Sequence, residues 1–136
     1  MNGFLRVQDL SEHNPMNKRE LIELAKHYVT LSNEHNLQRI KFLFVDDATY
    51  HSAYFGEFQG RAAILVMMAD FFTRFPDAHW EVMEYHCIEG DGVEFAFVMT
   101  GIDASSGERV KRHGLERIYF NSDGKIKDIT VDKPIT

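Results

Sequence analysis

The hydrophobic residues of this 136-residue sequence change their spacing near residue 78. Before that point they recur every three or four positions, as on one face of a helix, in the segments 17–31, 37–44 and 61–75. After it they alternate with polar residues, as in strands, in the segments 79–88, 93–102, 108–120 and 125–131. Helices first and antiparallel strands afterwards predict an α+β domain with the helices on one face of the sheet.

The boundaries of the predicted domain follow from local signals. Asn17 with Glu20 three positions later is typical of a helix start, and Pro76 ends the third helix. Residues 1–15 have no clear period, and Pro15 separates them from the first predicted helix. We therefore interpret 1–15 as an N-terminal arm and 16–136 as the folded domain.

Composition limits the partners that this chain can have. A net charge of −6 leaves no basic surface for nucleic acid or for an anionic membrane. No apolar run is long enough to span a bilayer, and the N-terminus lacks the apolar block of a signal peptide. The single cysteine, Cys87, excludes an internal disulfide framework. We expect a cytoplasmic protein that binds neither nucleic acid nor membranes.

The sequence also lacks the common motifs for metals and cofactors. Its seven histidines include no H-x-H pair and no H-x-x-x-H pair of the kind that binds zinc from a helix. No phosphate loop, dinucleotide fingerprint or G-x-S-x-G elbow is present. We predict no metal and no cofactor.

The segment FVDDATYHSAYFGEFQGRAAI, residues 44–64, joins the second helix to the third through a short strand predicted at 48–54. This order of helix, acidic pair, polar-aromatic strand, glycine and helix resembles the NTF2-like fold, named for nuclear transport factor 2. SnoaL-type polyketide cyclases and ketosteroid isomerases share that fold. The resemblance covers about 17–131. It implies a cone-shaped domain in which three N-terminal helices pack on a strongly curved antiparallel sheet around an apolar pocket.

Two further segments are similar to ketosteroid isomerases. AKHYVTL followed by FVDDAT places Tyr28 where the family has a tyrosine that donates a hydrogen bond to the substrate oxygen. LERIYFNSDGKI places Glu116 where the family has a protonated acid, and EFAFV places Phe97 and Met99 on the pocket wall. A phenol and a buried carboxylic acid can both donate to one developing enolate oxygen, because burial disfavours the charged form of the acid.

One position departs from the isomerase pattern. Ser52 stands where that family has its carboxylate base, and a serine alone cannot move a proton between carbons. His86 shares strand parity with Trp80, so it is a candidate base; the alternative is a histidine at the sheet edge or in a dimer interface. Asp132 is a second candidate, by similarity to the C-terminal aspartate of SnoaL-type cyclases, unless it is a solvated carboxylate.

The remaining candidates would bind the ligand. Tyr50, Ser52 and Tyr54 share one face of the predicted strand, and we expect them to orient an oxygen of the ligand, although Tyr54 could instead only rim the opening. Arg112 shares the parity of Glu116. An Arg112–Glu116 ion pair would keep that acid anionic and structural, which is the main alternative to its role as a donor.

The sequence supports two hypotheses for function. The first is a cofactor-independent isomerase, cyclase or dehydratase that acts on a small apolar carbonyl compound. Tyr28 and Glu116 would polarise the oxygen, and His86 or Asp132 would move the proton. The second is a non-catalytic module that binds an apolar ligand or a partner. In both cases we expect a homodimer formed through the outer face of the sheet.

Overall fold

The computed structural model describes residues 16–134, so the arm predicted at 1–15 lies outside the described residues. Three helices occur there: α1 (Lys18–Asn33), α2 (Leu37–Ile40) and α3 (Arg61–Arg74). A single 3₁₀ turn, Lys41–Leu43, follows α2. Seven strands complete the domain: β1 (Phe44–Ser52), β2 (Gly56–Gln59), β3 (His79–Val82), β4 (His86–Ile88), β5 (Gly92–Ile102), β6 (Arg109–Phe120) and β7 (Ile126–Asp132).

The strands form one sheet in the order β2-β1-β7-β6-β5-β3, and β4 pairs with β5 beyond the end of β3. β5, β6 and β7 form an antiparallel meander, whereas β1 runs parallel to β7. The helices pack on one side of this curled, unclosed sheet, which confirms the predicted α+β, NTF2-like architecture. The sheet is mixed rather than purely antiparallel, because β1 and β7 pair in parallel. In the chain, α3 and the strands β2 to β6 lie between these two strands.

Two local predictions were wrong. The first strand begins at Phe44 rather than at residue 48, so the helix predicted at 37–44 ends earlier, at Ile40. The acidic pair Asp46 and Asp47 lies within β1, at a register shift against β7, instead of separating helix from strand. The predicted strand at 79–88 is two strands, because residues 83–85 leave the ladder between β3 and β4. None of the helices within 16–134 is both long and apolar enough to cross a membrane.

A capping box and an apolar stripe, both visible in the sequence, explain why helix α1 forms. The Asn17 side chain accepts a hydrogen bond from the backbone of Arg19, and the Glu20 side chain accepts one from the Asn17 backbone, as the predicted capping box requires. The apolar stripe of α1 then faces the sheet and buries Leu21, Ala25, Tyr28 and Leu31. This burial places the Tyr28 phenol between the helix and the sheet.

The end of α1 is fixed to the edge of the sheet through one amide side chain. The Asn33 amide nitrogen donates to the Trp80 carbonyl over 3.0 Å, and its oxygen accepts from the Trp80 backbone N–H over 2.7 Å. A side chain that satisfies both backbone groups of an edge-strand residue substitutes for a neighbouring strand. It holds Trp80 against the helical layer.

Candidate functional site

A cavity of about 70 Å³ lies between the helices and the concave face of the sheet. Its wall is mainly aromatic and aliphatic, with a few polar side chains pointing inward. The lining residues are Tyr28, Val29, Ser32, Tyr50, Ser52, Tyr54, Phe55, Met67, Met68, Phe71, Phe72, Trp80, Phe95, Phe97, Met99, Arg112, Glu116 and Val131. An apolar cavity with a few inward polar groups is typical of a small-molecule site.

Glu116 is the carboxyl group on this wall. It lies on β6 opposite Phe95 of β5, and the residue is only 6% exposed. Its Oε2 atom is buried and has no hydrogen-bond partner among the residues that the structure describes. Burial raises the pKa of Glu116 to about 8, because the charged carboxylate loses its solvation there. At neutral pH Glu116 is therefore mostly protonated and can donate a hydrogen bond.

Two phenols accompany this acid. Tyr28, from α1, packs edge-on against Phe44, and Tyr50 comes from β1. Burial raises the pKa of Tyr28 well above its usual value, and the charges of Tyr50 and Glu116 add to the effect. Burial and the Glu116 charge likewise raise the pKa of Tyr50. Both phenols keep their protons at neutral pH, so the cavity presents neutral donors to a bound oxygen.

Phe97 and Met99 extend the wall along β5, where both are buried. Phe97 pairs with Gly114 on β6, and a Cβ atom at Gly114 would lie 2.6 Å from Cε2 of the Phe97 ring. The ring therefore covers the backbone of β6 where a side chain is missing. This arrangement gives the cavity a flat apolar floor between positions 112 and 116 of that strand.

Arg112 lies at the other end of this floor. Its Cζ atom is 4.7 Å from the ring centroid of Tyr54, 5.4 Å from that of Phe55 and 5.9 Å from that of Phe75. Its Nη1 atom is buried and has no hydrogen-bond partner in the described part of the chain, 16–134. No ion pair joins Arg112 to Glu116, both of which the structure describes, so Glu116 is not held as the anion of such a pair.

The hydroxyls of Ser52 and Tyr54 are already engaged. Ser52 Oγ accepts hydrogen bonds from the backbone N–H groups of Tyr54 and Phe55 at 3.0 and 3.1 Å and thereby shapes the turn after β1. The Tyr54 hydroxyl donates to the His113 carbonyl over 2.7 Å. Both residues line the cavity, but of the three candidates in this segment Tyr50 alone has a hydroxyl that makes no hydrogen bond within residues 16–134.

The predicted base His86 lies away from the cavity. Its side chain is 62% exposed, and its Nε2 atom is 3.3 Å from Glu84. The parity of Trp80 does not continue to His86, because the chain leaves the sheet at residues 83–85 between them. His86 cannot contact a ligand in the cavity, so the sequence-based assignment of this residue is corrected.

Asp132 is also outside the cavity. It is 2.9 Å from Nη1 of Arg117, whose Nε is 2.8 Å from Glu94, and these three side chains lie on the outer face of the sheet. Its neighbour Val131 lines the cavity, and successive strand residues point to opposite faces. The assignment of Asp132 to the pocket is therefore corrected too.

Part of the cavity wall was not predicted from the sequence. Trp80 and Phe71 line the cavity with their ring centroids 5.5 Å apart, and Phe72 joins them from the next position of α3. The signal was the run Phe71-Phe72 on the apolar face of α3, which is equally typical of an ordinary core. Within 16–134, no group of three or more His, Cys, Asp or Glu side chains could hold a metal ion.

Comparisons with known proteins agree with this architecture. The family model described as a SnoaL-like domain matches residues 25–129, which is more than half of the chain. No curated protein matches the sequence significantly.

Three solved structures illustrate the likeness. One is described as the epoxide hydrolase/cyclase-like enzyme SalBIII, with a role in pyran ring formation in the polyether salinomycin; its TM-score is 0.77 at 19% identity, over 86% of this chain and 92% of that chain. An NTF2-like protein of unknown function from Exiguobacterium has a TM-score of 0.73 at 22% identity, over 83% and 99%.

The third is a hypothetical protein with a ketosteroid isomerase-like fold from Catenulispora acidiphila, in complex with trimethylamine. Its TM-score is 0.73 at 15% identity, over 83% of this chain and 86% of that chain. At such identities these structures support the fold alone. The family match and the curled sheet together show that the chain belongs to the SnoaL-like domain family.

Proposed function

We propose that this protein is a cofactor-independent isomerase or lyase that acts on a small apolar carbonyl compound, with Glu116 as its acid. The observation that carries the proposal is the Glu116 carboxyl group, which is buried in the cavity wall and whose Oε2 atom has no hydrogen-bond partner within 16–134. An unsatisfied buried polar atom costs about 1–3 kcal/mol. A ligand oxygen at this position would remove that cost.

Three neutral donors support this chemistry. Glu116, Tyr28 and Tyr50 line the same cavity, and the Glu116 charge affects the pKa of both phenols, so the three groups lie within electrostatic range of one another. Donors fixed around an oxygen that becomes negative stabilise the transition state more than the ground state. The carbonyl oxygen of the substrate would accept from Glu116 and from at least one phenol.

The number of acid–base groups on the cavity wall limits the reactions that the protein could catalyse. With His86 and Asp132 outside the cavity, Glu116 is the carboxyl group on its wall. A pKa of about 8 lets this one group give a proton at neutral pH and take one back when ionised. Ring closure, ring opening or loss of water assisted by a single acid fits this wall. SalBIII, described as epoxide hydrolase/cyclase-like, is a neighbour whose description belongs to the same broad class.

The proposal is tested with phenols as mimics of an enolate. Fluorinated phenols differ in acidity but hardly in size, so their affinities report how much negative charge the oxygen site accepts. We expect affinity for the protein to rise with phenol acidity, measured by isothermal titration calorimetry below the pKa of each phenol. Tyr28→Phe and Glu116→Leu, which remove the donors, should each weaken binding of the most acidic phenol about tenfold, the expected loss for one hydrogen bond to a developing charge.

A matched control removes a hydroxyl from the same strand on the outer face. Tyr119→Phe should leave the phenol series unchanged, because Tyr119 alternates away from Glu116. Equal affinity for all the phenols, or wild-type behaviour in Glu116→Leu, would contradict an oxygen site at Glu116.

A non-catalytic binding protein is the second candidate. The observation that favours it is the single carboxyl group on the cavity wall, since many proton transfers between carbons use two groups or one mobile one. A pure binding protein gains nothing from holding a charged oxygen more tightly than a neutral one. Binding of all the phenols with one common affinity would therefore favour this candidate.

A further inference from the structure

Arg112 is the second unsatisfied group in the cavity, and the proposed acid chemistry does not use it. Within 16–134 its buried Nη1 atom has no hydrogen-bond partner, and no carboxylate forms an ion pair with it. The nearby Arg74 differs in this respect, because its Nε and Nη2 atoms lie 3.0 and 2.8 Å from Asp103. Arg112 is only partly buried, but an enclosed guanidinium N–H without an acceptor is costly unless a ligand supplies one, and an anion is the strongest acceptor for this cation.

The surroundings of Arg112 are aromatic, and they favour a ligand anion at the edge of the guanidinium that carries Nη1. The rings of Tyr54, Phe55 and Phe75 surround the guanidinium, so its faces are occupied by aromatic contacts. The planar edge of a guanidinium matches the two oxygens of a carboxylate, with two parallel N–H···O bonds. The Nη1 edge therefore fits a carboxylate better than a neutral oxygen.

Arg112 and Glu116 have a defined spacing. They lie four residues apart on one face of β6, so their Cα atoms are separated by about 14 Å in an extended strand. Gly114 lies between them on the same face, covered by the Phe97 ring. The strand thus presents a cation, an apolar floor and a neutral acid in that order.

We propose that the ligand of this cavity is an amphiphilic keto acid: its carboxylate binds Arg112, its apolar body lies over Phe97, and its neutral oxygen reaches Glu116. The inference rests on the proposed function, because it takes the same cavity as the substrate site. It changes the proposed substrate in one respect: the apolar carbonyl compound also carries a carboxylate at the end away from Glu116, a charge that the acid chemistry at Glu116 does not determine.

A matched pair of ligands tests the charge preference. The probes are 3-(4-acetylphenyl)propanoate and its methyl ester, which both carry a ketone across an aromatic ring from the carboxyl end and differ in one negative charge. We expect the wild-type chain to bind the acid at least about tenfold more tightly than the ester at neutral pH, measured by isothermal titration calorimetry. Equal affinities would overturn the proposal. So would failure of both to bind at millimolar concentration, since the acid carries both recognised groups.

Variants then assign the preference to one side chain. Arg112→Met has a similar length without charge, and it should reduce the preference to within about twofold while leaving the affinity for the ester nearly unchanged. Arg112→Lys keeps the charge without the planar edge and should retain part of the preference. Lys111→Met removes a positive charge from the neighbouring, outward-facing position and should retain all of it. A tenfold preference that persists in Arg112→Met would overturn the assignment.

Failure of this proposal is distinguishable from failure of the proposed function. Glu116→Gln should keep the preference for the acid over the ester, because the anion binds at the other end of the floor. A lost charge preference with an intact phenol series would contradict the role of Arg112 alone. The reverse result would contradict the role of Glu116 alone.

Discussion

At the scale of single residues, the burial of Glu116 makes stability depend on pH. The acid has a pKa of about 8 in the folded chain, against 4.5 for an ordinary glutamate. Between these values the folded state binds more protons at this site than the unfolded state does. The free energy of unfolding therefore falls as pH rises from about 4.5 to about 8, by at most about 1.4 kcal/mol per pH unit from this group.

Replacing Glu116 with glutamine isolates that contribution. We expect the free energy of unfolding of Glu116→Gln, relative to wild type, to increase steadily between about pH 5 and pH 8 and to level off above it. Urea denaturation of both proteins at several pH values measures the difference. Two curves that stay parallel over this range would mean that the carboxyl group titrates normally in the folded chain.

The placement of individual residues could be predicted only where the local period continues. Tyr28 lies on the regular apolar stripe of α1, and Glu116 shares parity with Ile118 and Phe120, so both were expected inside. His86 was misplaced because the ladder breaks between it and Trp80, and alternation has no meaning across such a break. The lack of a hydrogen bond at Glu116 and Arg112 depends on distant side chains, which no local pattern specifies.

At the scale of the secondary-structure elements, the close approach of β5 and β6 depends on a missing side chain. Gly114 allows the Phe97 ring to lie across its backbone, within the distance that a Cβ atom would need. A glycine within a predicted strand indicates that another group packs closely on the strand backbone, but it does not identify that group. The register of β5 against β6 supplies that partner.

We expect Gly114→Ala to push the Phe97 ring into the cavity. Overpacking of this kind costs about 1–3 kcal/mol, so urea denaturation should show a loss of that size, with weaker binding of the keto acid. Phe97→Leu in the same chain removes the clash, and the double variant should be more stable than the sum of the two single changes predicts. Strictly additive effects would show that the ring and the glycine do not interact.

At the scale of the whole molecule, the order of helices and strands was enough to predict the α+β class, and the resemblance named the cone-shaped fold. The direction of β1 was not predictable, because its partner β7 lies at the far end of the chain and neither segment specifies their relative orientation. Pairing of this kind is decided by the assembly of the whole sheet.

The homodimer stays a prediction. The outer face of the sheet offers Val98 and Leu115, which are apolar and only partly buried, beside the charged Arg117. If two copies pair through this face, Leu115→Lys should convert a dimer into a monomer in sedimentation equilibrium experiments. Val66→Lys, an exposed position on α3, is the matched control and should not. A wild-type monomer at all micromolar concentrations would contradict the dimer.

The proposed oxygen site requires that Glu116 is a neutral, buried acid in the cavity at physiological pH. Carbon-13 NMR of glutamate side-chain carboxyl groups, with Glu116→Gln to assign the resonance, measures its titration directly. We expect a pKa of about 8 for Glu116, far above the ordinary value of 4.5 for a glutamate side chain. A Glu116 resonance that titrates near 4.5 would contradict the proposed donor role, because Glu116 would then be a carboxylate at neutral pH and could not donate a hydrogen bond.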